Sequence, residues 1–255
     1  MLKDFSKEAF DVVIQAGQSN AEGCGMGETE DAFGQDGRIW YLNNDFTISL
    51  AAERVWGNEI ASDFSLSFAR EYLRAGLLAP ERKILIVRSA VGGTGFRDNH
   101  WKPQDDLFLR MTDMIKTAME LNPANRLVAL IWHQGETDAS LNAGYEEHYN
   151  NLMTLYRLTA DGFGVPEIPF IAGDFVQQWK TANAAICEPV IRAIRDVCRD
   201  VGGAFVETDG LCSNTQEKRQ IPLAWEDTIH FSRRSLVELG KRYFAAYRGI
   251  LAKNG

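Results

Sequence analysis

The chain has 255 residues, 45% of them hydrophobic and 24% charged, proportions usual for a soluble globular protein that argue against collagen, coiled coil or disorder. The formal net charge of −8 would repel nucleic-acid phosphates and anionic membrane surfaces, so we expect neither as a partner. The longest apolar runs are strand-sized, well below the roughly 20 residues that a membrane-spanning helix needs.

Five short apolar segments rich in β-branched residues predict buried strands. Each is a continuous run of four to six residues, as is typical of strands covered on both faces. In chain order these segments are 10–15, 84–89, 127–132, 169–174 and 203–208.

Helical periodicity marks the segments that alternate with these strands. The predicted helices are 62–75, 105–120, 142–160, 183–201 and 233–251. Alternation of strand and helix predicts an α/β fold, a three-layer α/β/α sandwich of the flavodoxin-like type with a parallel sheet of about five strands. Because the chain shows no internal repeat or linker, we expect one domain that spans residues 1–255.

The segment 16–60 does not fit this alternation. It is rich in Gly, Asn, Asp and Glu, with a short apolar island at 38–42. A connection this long is often functional, and it begins at the carboxyl end of the first strand, where ligands bind in such sheets. We therefore expect part of the functional site in this segment.

The N-terminal residues indicate the compartment. They carry charges of both signs and no apolar core, so no signal peptide is predicted. The four cysteines are widely spaced without a C-x-x-C pair, which favours buried thiols over a disulfide framework. We expect a cytoplasmic protein, although a secreted chain without its signal peptide would have the same features.

Ser19 lies directly after the first predicted strand, in the segment Gly-Gln-Ser-Asn at 17–20. At the carboxyl edge of a parallel sheet, its Oγ can attack a substrate while nearby backbone N–H groups face a developing oxyanion. A serine after a strand is also typical of a turn or a helix N-cap. Its position indicates a candidate nucleophile and leaves the capping role open.

Polar residues follow the third predicted strand without a gap, in the segment His-Gln-Gly-Glu-Thr-Asp at 133–138. His133 and Glu136 have the spacing of a metal pair, but no third ligand is evident and the segment leaves a strand rather than a helix. Thr137 and Asp138 could cap the helix that follows. Capping accounts less well for the polar side chains of Gln134 and Glu136.

Asp227 and His230 lie three residues apart in a loop before the last predicted helix. At this spacing the carboxylate can reach the Nδ1–H of the imidazole, which leaves Nε2 free to take a proton from a serine. The alternative is that Asp227 caps a turn and His230 is an ordinary surface or core histidine.

Glycines follow the second predicted strand, in the segment Gly-Gly-Thr-Gly at 92–95. They let the backbone approach a ligand closely and can present an N–H group to a pocket. The chain lacks both the P-loop pattern and the dinucleotide-binding pattern after its first strand, so a phosphate loop is not indicated. A plain turn between strand and helix is the alternative.

In this order the four segments resemble the SGNH hydrolase superfamily, and more narrowly its sialate O-acetylesterase-like branch, which includes acetylxylan esterases of carbohydrate esterase family 6. That branch has the motifs G-Q-S-N, G-G-T, H-Q-G-E-x-D and D-x-x-H. Here the motifs match residues 17–20, 92–94, 133–138 and 227–230, so the resemblance spans residues 17–230.

The resemblance implies a serine esterase and a role for each matching residue. Ser19 would be the nucleophile, His230 the general base and Asp227 the group that orients the base. The oxyanion hole would consist of the backbone N–H of Ser19, the backbone N–H of Gly93 and the side-chain amide of Gln134. A glutamine in the place of the superfamily's usual asparagine marks this branch and presents the same NH₂ donor.

Further residues of the motifs are implied as supporting groups. They are Gln18, Asn20, Gly92, His133 and Glu136. Glu136 could support the imidazole or the oxyanion wall, in place of Asp227 or beside it.

Two departures from the family pattern concern the substrate. The chain has Ala21 where many relatives have a bulky apolar residue, and Phe96 and then Trp101 where they often have a tryptophan soon after the glycines. Trp40, Phe96, Trp101 and Trp225 are candidates for contact with the substrate, since aromatic rings can stack on sugars, but core packing is the favoured interpretation for each.

The sequence therefore predicts a serine carbohydrate O-acetylesterase that needs no cofactor or metal. The resemblance implies acetyl as the acyl group, and acetylxylan or O-acetylated sialic acid as substrate, so the expected partner is a small-molecule or oligosaccharide acetyl ester. The alternatives are a general arylesterase or lipase-like hydrolase on the same fold, a catalytically silent carbohydrate-binding or structural module, and a metal-dependent deacetylase that uses His133 and Glu136.

Overall fold

A mixed sheet forms the centre of the computed structural model, which describes residues 4–219 and 223–254. In chain order the strands of these residues are β1 (Ala9–Gly17), β2 (Gly25–Glu28), β3 (Ile39–Leu42), β4 (Ile48–Leu50), β5 (Arg54–Trp56), β6 (Glu59–Ser62), β7 (Arg82–Ala90), β8 (Arg126–His133), β9 (Phe170–Gly173) and β10 (Ala204–Val206). The helices are α1 (Ser19–Glu22), α2 (Ser65–Arg74), α3 (Asp106–Glu120), α4 (Glu136–Ser140), α5 (Tyr145–Gly162), α6 (Gln177–Ala182), α7 (Ala184–Asp200) and α8 (Arg233–Asn254). Two short 3₁₀ turns lie at Phe5–Lys7 and Thr29–Asp31.

The central sheet has the strand order β10-β9-β8-β1-β7-β3-β4. Its strands pair in parallel except for β4, which pairs antiparallel with β3 at one edge. The five predicted strands correspond to β1, β7, β8, β9 and β10, and their order is that of a flavodoxin-like sheet. The predicted fold class is therefore confirmed, with two more strands than expected.

Side chains of β1 alternate between two apolar cores, one on each face of the sheet. Val12 and Ile14 lie in the core shared with α3, α5 and α7, whereas Val13 lies in the core shared with α2 and α8. This alternation is why the strand reads as a continuous apolar run. None of the helices in the described parts of the chain is long and apolar enough to cross a membrane.

The long connection after β1 is more regular than its composition suggests. Its apolar island forms β3, which joins the central sheet beside β7, while β2, β5 and β6 form a separate antiparallel sheet. Gly25 and Gly27 let β2 lie against α8, because a Cβ at either position would come within about 2.5 Å of Leu236 or Arg233 side-chain atoms. The small sheet thus packs against the start of α8, next to the loop that carries His230.

The four cysteines form no disulfide. Cys187 and Cys198 lie buried on α7, as predicted for core thiols, whereas Cys24 and Cys212 are only half-buried. Burial raises the pKa of Cys187 and of Cys198 to about 12, so both remain neutral thiols at physiological pH.

Candidate active site

Three of the four segments meet because β1 lies between β7 and β8. In the sheet register Gly17 is the partner of Ala90 on one side and of His133 on the other, so the three strands end level with one another. The residues that follow each strand therefore gather at one carboxyl edge. Gly17 has a φ of +135°, and a Cβ there would lie 2.1 Å from the carbonyl oxygen of His133, so this close approach requires glycine.

Ser19, His230 and Asp227 form a continuous chain of contacts at this edge. The Oγ of Ser19 lies 2.9 Å from Nε2 of His230, and Nδ1 of His230 lies 2.9 and 3.1 Å from the two carboxylate oxygens of Asp227. Because a carboxylate only accepts hydrogen bonds, Nδ1 carries the proton and Nε2 presents its lone pair to the serine hydroxyl. The structure thus brings together the three residues for which the resemblance implied catalytic roles.

The Asp227 carboxylate is held in its ionised form by its neighbours. Burial alone would raise its pKa, but hydrogen bonds from His230 and from the side-chain amide of Asn214 bring the pKa below its usual value. The backbone N–H of His230 also donates to Asp227, at 3.2 Å. The carboxylate is therefore both charged and fixed in orientation. Asn214 is a contributor that the sequence analysis missed, because no local pattern marks it.

Asn20 fixes the backbone on both sides of His230. Its Oδ1 accepts from the N–H of Phe231 at 3.0 Å, and its Nδ2 donates to the carbonyl of Ile229 at 3.1 Å. The same Nδ2 donates to Oε1 of Glu136 at 2.8 Å, which sets the orientation of the amide. Asn20 therefore connects α1 to the histidine loop across 211 residues of sequence.

Glu136 is fully buried and lies beside Asn20 and His133. Its Oε1 is 3.6 Å from Nε2 of His133, whose Nδ1 lies 3.1 Å from the hydroxyl of Tyr243. Burial opposes its ionisation, but His133 and the hydrogen bond from Asn20 bring its pKa below the usual value. The contacts of Glu136 therefore lead to the histidine loop through Asn20, while Asp227 contacts the imidazole directly.

Two backbone N–H groups next to the serine are available to a ligand. Across residues 4–219 and 223–254, neither the N–H of Ser19 nor that of Gly93 donates a hydrogen bond to another residue. The N–H of Gly92, by contrast, donates to the carboxylate of Glu22 at 2.7 Å. Gly92 lies against Ser19, since a Cβ at Gly92 would be 3.4 Å from Cβ of Ser19. Gly93 is thus the glycine of the turn whose N–H is free.

The amide of Gln134 contacts the same glycine turn. Its Nε2 donates to Oδ2 of Asp138 at 2.9 Å and makes a longer contact of 3.4 Å with the carbonyl of Thr94. Gln134 is buried, and its Oε1 has no partner within the described residues. The structure therefore places all three expected oxyanion donors at one edge, around the turn that follows β7.

The helix cap after β8 differs from the expectation. The Oε1 of Gln18 accepts from the N–H groups of Gly135 and Thr137, at 3.4 and 3.1 Å, and so caps α4. Thr137 and Asp138 lie within the helix. The alternative that Thr137 and Asp138 cap a helix does not hold for α4, because the side chain of Gln18, which follows β1, takes that position.

Three of the four aromatic residues expected at the substrate are not exposed at this edge. Phe96 and Trp101 are only 1% and 0% exposed and pack against Trp132 in the core. Trp40 packs against Phe5 and pairs with the middle of β7, away from the carboxyl edge. Substrate contact is therefore corrected for these three candidates, because each ring packs against other residues and none presents a free face at the site, in line with the core packing that was favoured.

Trp225 is 60% exposed and lies two residues before Asp227. It is the one aromatic residue of the expected four that can offer a ring face to a ligand.

In the described ranges, no group of three His, Cys, Asp or Glu side chains could hold a metal ion.

A mostly parallel sheet with helices on both faces, and a serine and a histidine in contact at its carboxyl edge, fit the class of ester hydrolases. The family model described as carbohydrate esterase, sialic acid-specific acetylesterase, matches residues 9–249. The chain belongs to this family and is a carboxylic ester hydrolase with acetylesterase activity. No curated protein matches the sequence.

Solved structures share the fold at low sequence identity. NanS superposes with a TM-score of 0.80 and 16% identity, covering 97% of this chain and 99% of NanS. A carbohydrate acetylesterase from Xanthomonas citri superposes with a TM-score of 0.60 and 16% identity, covering 94% of this chain and 56% of that one. A variant of Axe2, an acetyl-xylooligosaccharide esterase from Geobacillus stearothermophilus, superposes with a TM-score of 0.53 and 14% identity, covering 95% of this chain and 96% of Axe2.

Proposed function

We propose that this protein is a serine acetylesterase that removes O-acetyl groups from sugars through an acyl-enzyme. The observation that carries the proposal is the chain of contacts from Ser19 Oγ to His230 Nε2 and from His230 Nδ1 to Asp227. The proposed nucleophile lies within hydrogen-bond distance of the base, and the base within hydrogen-bond distance of the orienting carboxylate, which is the geometry that serine hydrolysis requires.

The reaction has two stages, formation of an acetyl-enzyme and its hydrolysis. Oγ of Ser19 attacks the acetyl carbonyl while Nε2 of His230 takes its proton, and Asp227 stabilises the imidazolium that forms. The tetrahedral intermediate then expels the sugar oxygen, which takes the proton from His230, and leaves acetyl-Ser19. A water molecule, deprotonated in turn by His230, then attacks the acetyl carbonyl of acetyl-Ser19; the bond from the carbonyl carbon to Oγ breaks, Oγ takes the proton back from His230, and acetate leaves.

Three donors stabilise the negative oxygen of each tetrahedral intermediate. They are the free N–H groups of Ser19 and Gly93 and the Nε2 of Gln134. A fixed donor at this oxygen contributes a factor of about 10²–10³ to turnover. We expect Gln134→Ala to lower kcat by about that factor, since the amide is buried and water replaces it poorly.

The substrate that we propose is an acetylated xylo-oligosaccharide or an O-acetylated sialic acid. The names of the structural relatives include a carbohydrate acetylesterase and an acetyl-xylooligosaccharide esterase, and the family model is described as specific for sialic acid. The exposed ring of Trp225 near Asp227 would supply a stacking surface for a sugar.

Acetate release from both sugars, with wild type, Ser19→Ala and Ser89→Ala, tests the proposal. Ser89 is a matched control, because it is a buried serine at the end of β7 whose hydroxyl has no partner within the described residues. We expect wild type and Ser89→Ala to release acetate, with or without a chelator, and Ser19→Ala to release none.

Other results would contradict the proposal in distinct ways. Activity that survives in Ser19→Ala would show that Ser19 is not the nucleophile. Loss of activity with a chelator would favour the metal-dependent deacetylase. If wild type releases no acetate from either sugar or from p-nitrophenyl acetate, and Ser19 does not react with a fluorophosphonate, the binding-module alternative applies.

A further inference from the structure

Asp138 is a fully buried carboxylate in α4 that the reaction scheme does not use. One of its oxygens accepts from Nε2 of Gln134 at 2.9 Å and from the N–H of Phe96 at 3.1 Å, and the other accepts from the N–H of Arg97 at 2.8 Å. Nδ1 of His148, on α5, lies 3.2 Å away. The carboxylate thus contacts both the glutamine amide and the turn that follows β7.

The contact with Asp138 decides which end of the Gln134 amide faces the turn. A carboxylate accepts hydrogen bonds but donates none, so the amide must turn its NH₂ group toward Asp138. One N–H is then bound to Asp138, and the second is directed toward the carbonyl of Thr94, next to Gly93. That second N–H is held only by a contact of 3.4 Å, which a stronger acceptor can replace.

The same carboxylate fixes the turn that presents the N–H of Gly93. The N–H groups of Phe96 and Arg97 both bind it, and a Cβ at Gly95 would come within 2.6 Å of one of its oxygens. The backbone of the turn is therefore packed directly on Asp138. The carboxylate joins the turn to Gln134 although the two are separated by some 40 residues of sequence.

The charge of Asp138 is compatible with this position. Burial alone would raise its pKa, but the contacts with His148, with the N–H of Arg97 and with Gln134 bring the pKa below the usual value. The carboxylate thus remains an acceptor at physiological pH. Donors from Gln134, from the turn and from His148 offset the charge of Asp138. This limits its repulsion of the negative oxygen that the proposed intermediate would place beside the Gln134 amide.

We propose that Asp138 is a positioning residue that sets the oxyanion hole, because it orients the Gln134 amide and fixes the glycine turn as one unit. The inference rests on the proposed function. Asp138 contacts no reacting atom itself, so its effect on the rate must pass through Gln134 and the turn.

A double-mutant cycle on the hydrolysis of p-nitrophenyl acetate tests this role. We expect Asp138→Ala to lower kcat by about 10–10² with little change in KM, because a misdirected amide loses a large part of one oxyanion donor. In the Gln134→Ala background only the effect through the turn remains, so we expect Asp138→Ala to lower kcat there by a clearly smaller factor than in wild type. A purely structural role for Asp138 would lower activity equally in both backgrounds.

Asp98 supplies the matched control. Its carboxylate accepts from the N–H of Gly95 at 2.8 Å and so holds the same turn, but it does not contact Gln134. We expect the effects of Asp98→Ala and Gln134→Ala on kcat to multiply. If Asp138→Ala does not fold, Asp138→Asn carries the cycle, since it keeps the volume and presents at most one acceptor oxygen.

The outcomes separate this inference from the proposed function. If wild type hydrolyses the ester and Asp138→Ala costs the same factor with and without Gln134, the positioning role is overturned and the esterase remains. If wild type neither hydrolyses the ester nor reacts with a fluorophosphonate at Ser19, both are overturned.

Discussion

Replacement of Asn20 by alanine is expected to lower both stability and activity, because this side chain holds the loop of the proposed catalytic histidine. The change would leave two buried groups without their partner, the N–H of Phe231 and Oε1 of Glu136, and would also free the half-buried carbonyl of Ile229. A buried polar group that loses its partner costs about 1–3 kcal/mol. We therefore expect Asn20→Ala to lower the free energy of unfolding by at least about 2 kcal/mol.

The loss of activity should exceed what this destabilisation explains. His230 lies between the two backbone groups that Asn20 binds, and a displacement of about 1 Å at a reacting group can cost about 10²-fold in rate. We expect kcat for p-nitrophenyl acetate to fall by about that factor under conditions where the variant is fully folded. Urea unfolding followed by tryptophan fluorescence gives the stability, and steady-state kinetics give the rate.

Asn125 provides a control at the opposite end of the sheet. Its side chain also binds two backbone groups, the N–H of Phe10 and the carbonyl of Ala118, both at 2.7 Å. Asn125→Ala should therefore cost at least about 2 kcal/mol of stability but leave kcat within about twofold of wild type. Equal activity of the Asn20 and Asn125 variants would refute the positioning role of Asn20.

Two further predictions concern stability. The pKa of Asp227 is lowered in the folded state, so its contribution to folding stability is present above its unfolded pKa of ~3.9 and is lost as pH falls through the folded pKa. In Asp227→Asn the free energy of unfolding should therefore fall less steeply as the pH is lowered. Parallel curves of unfolding free energy against pH for the variant and wild type would contradict this. Gly17→Ala should cost more than about 3 kcal/mol by urea unfolding, because its Cβ would meet the carbonyl of His133. Gly76→Ala, with positive φ but open space, should cost only about 1–2 kcal/mol.

The central sheet could be predicted because its strands are short apolar runs whose residues alternate between two cores, as Val12 and Val13 do. The strand β3 was missed as an element of the sheet, because four apolar residues in a polar segment do not by themselves show a partner. It is long-range pairing with Ile84 and its neighbours that makes this island a strand. The small sheet was missed for a similar reason, since its glycines are explained only by contact with α8.

The candidate site could be located from the order of the motifs, because the ends of adjacent parallel strands share one edge. What no local pattern shows is which side chain contacts which. Trp101 and Trp225 have the same chemistry and both lie near a motif, yet one is buried in the core and the other is 60% exposed. Trp101 is buried because it packs against Trp132 of β8, which is distant in sequence, so the substrate contacts could not be read from residue type.

The arrangement of α4 explains why the segment after β8 carries two carboxylates. Glu136 binds the amide of Asn20, which holds the loop of His230, and Asp138 binds the amide of Gln134 beside the glycine turn. Each carboxylate is buried and ionised, and each accepts from an amide whose orientation it thereby fixes. Since the two residues lie two positions apart on one short helix, they project to different sides. With the roles proposed here, one helix turn positions the proton-transfer half of the site and the oxyanion half together.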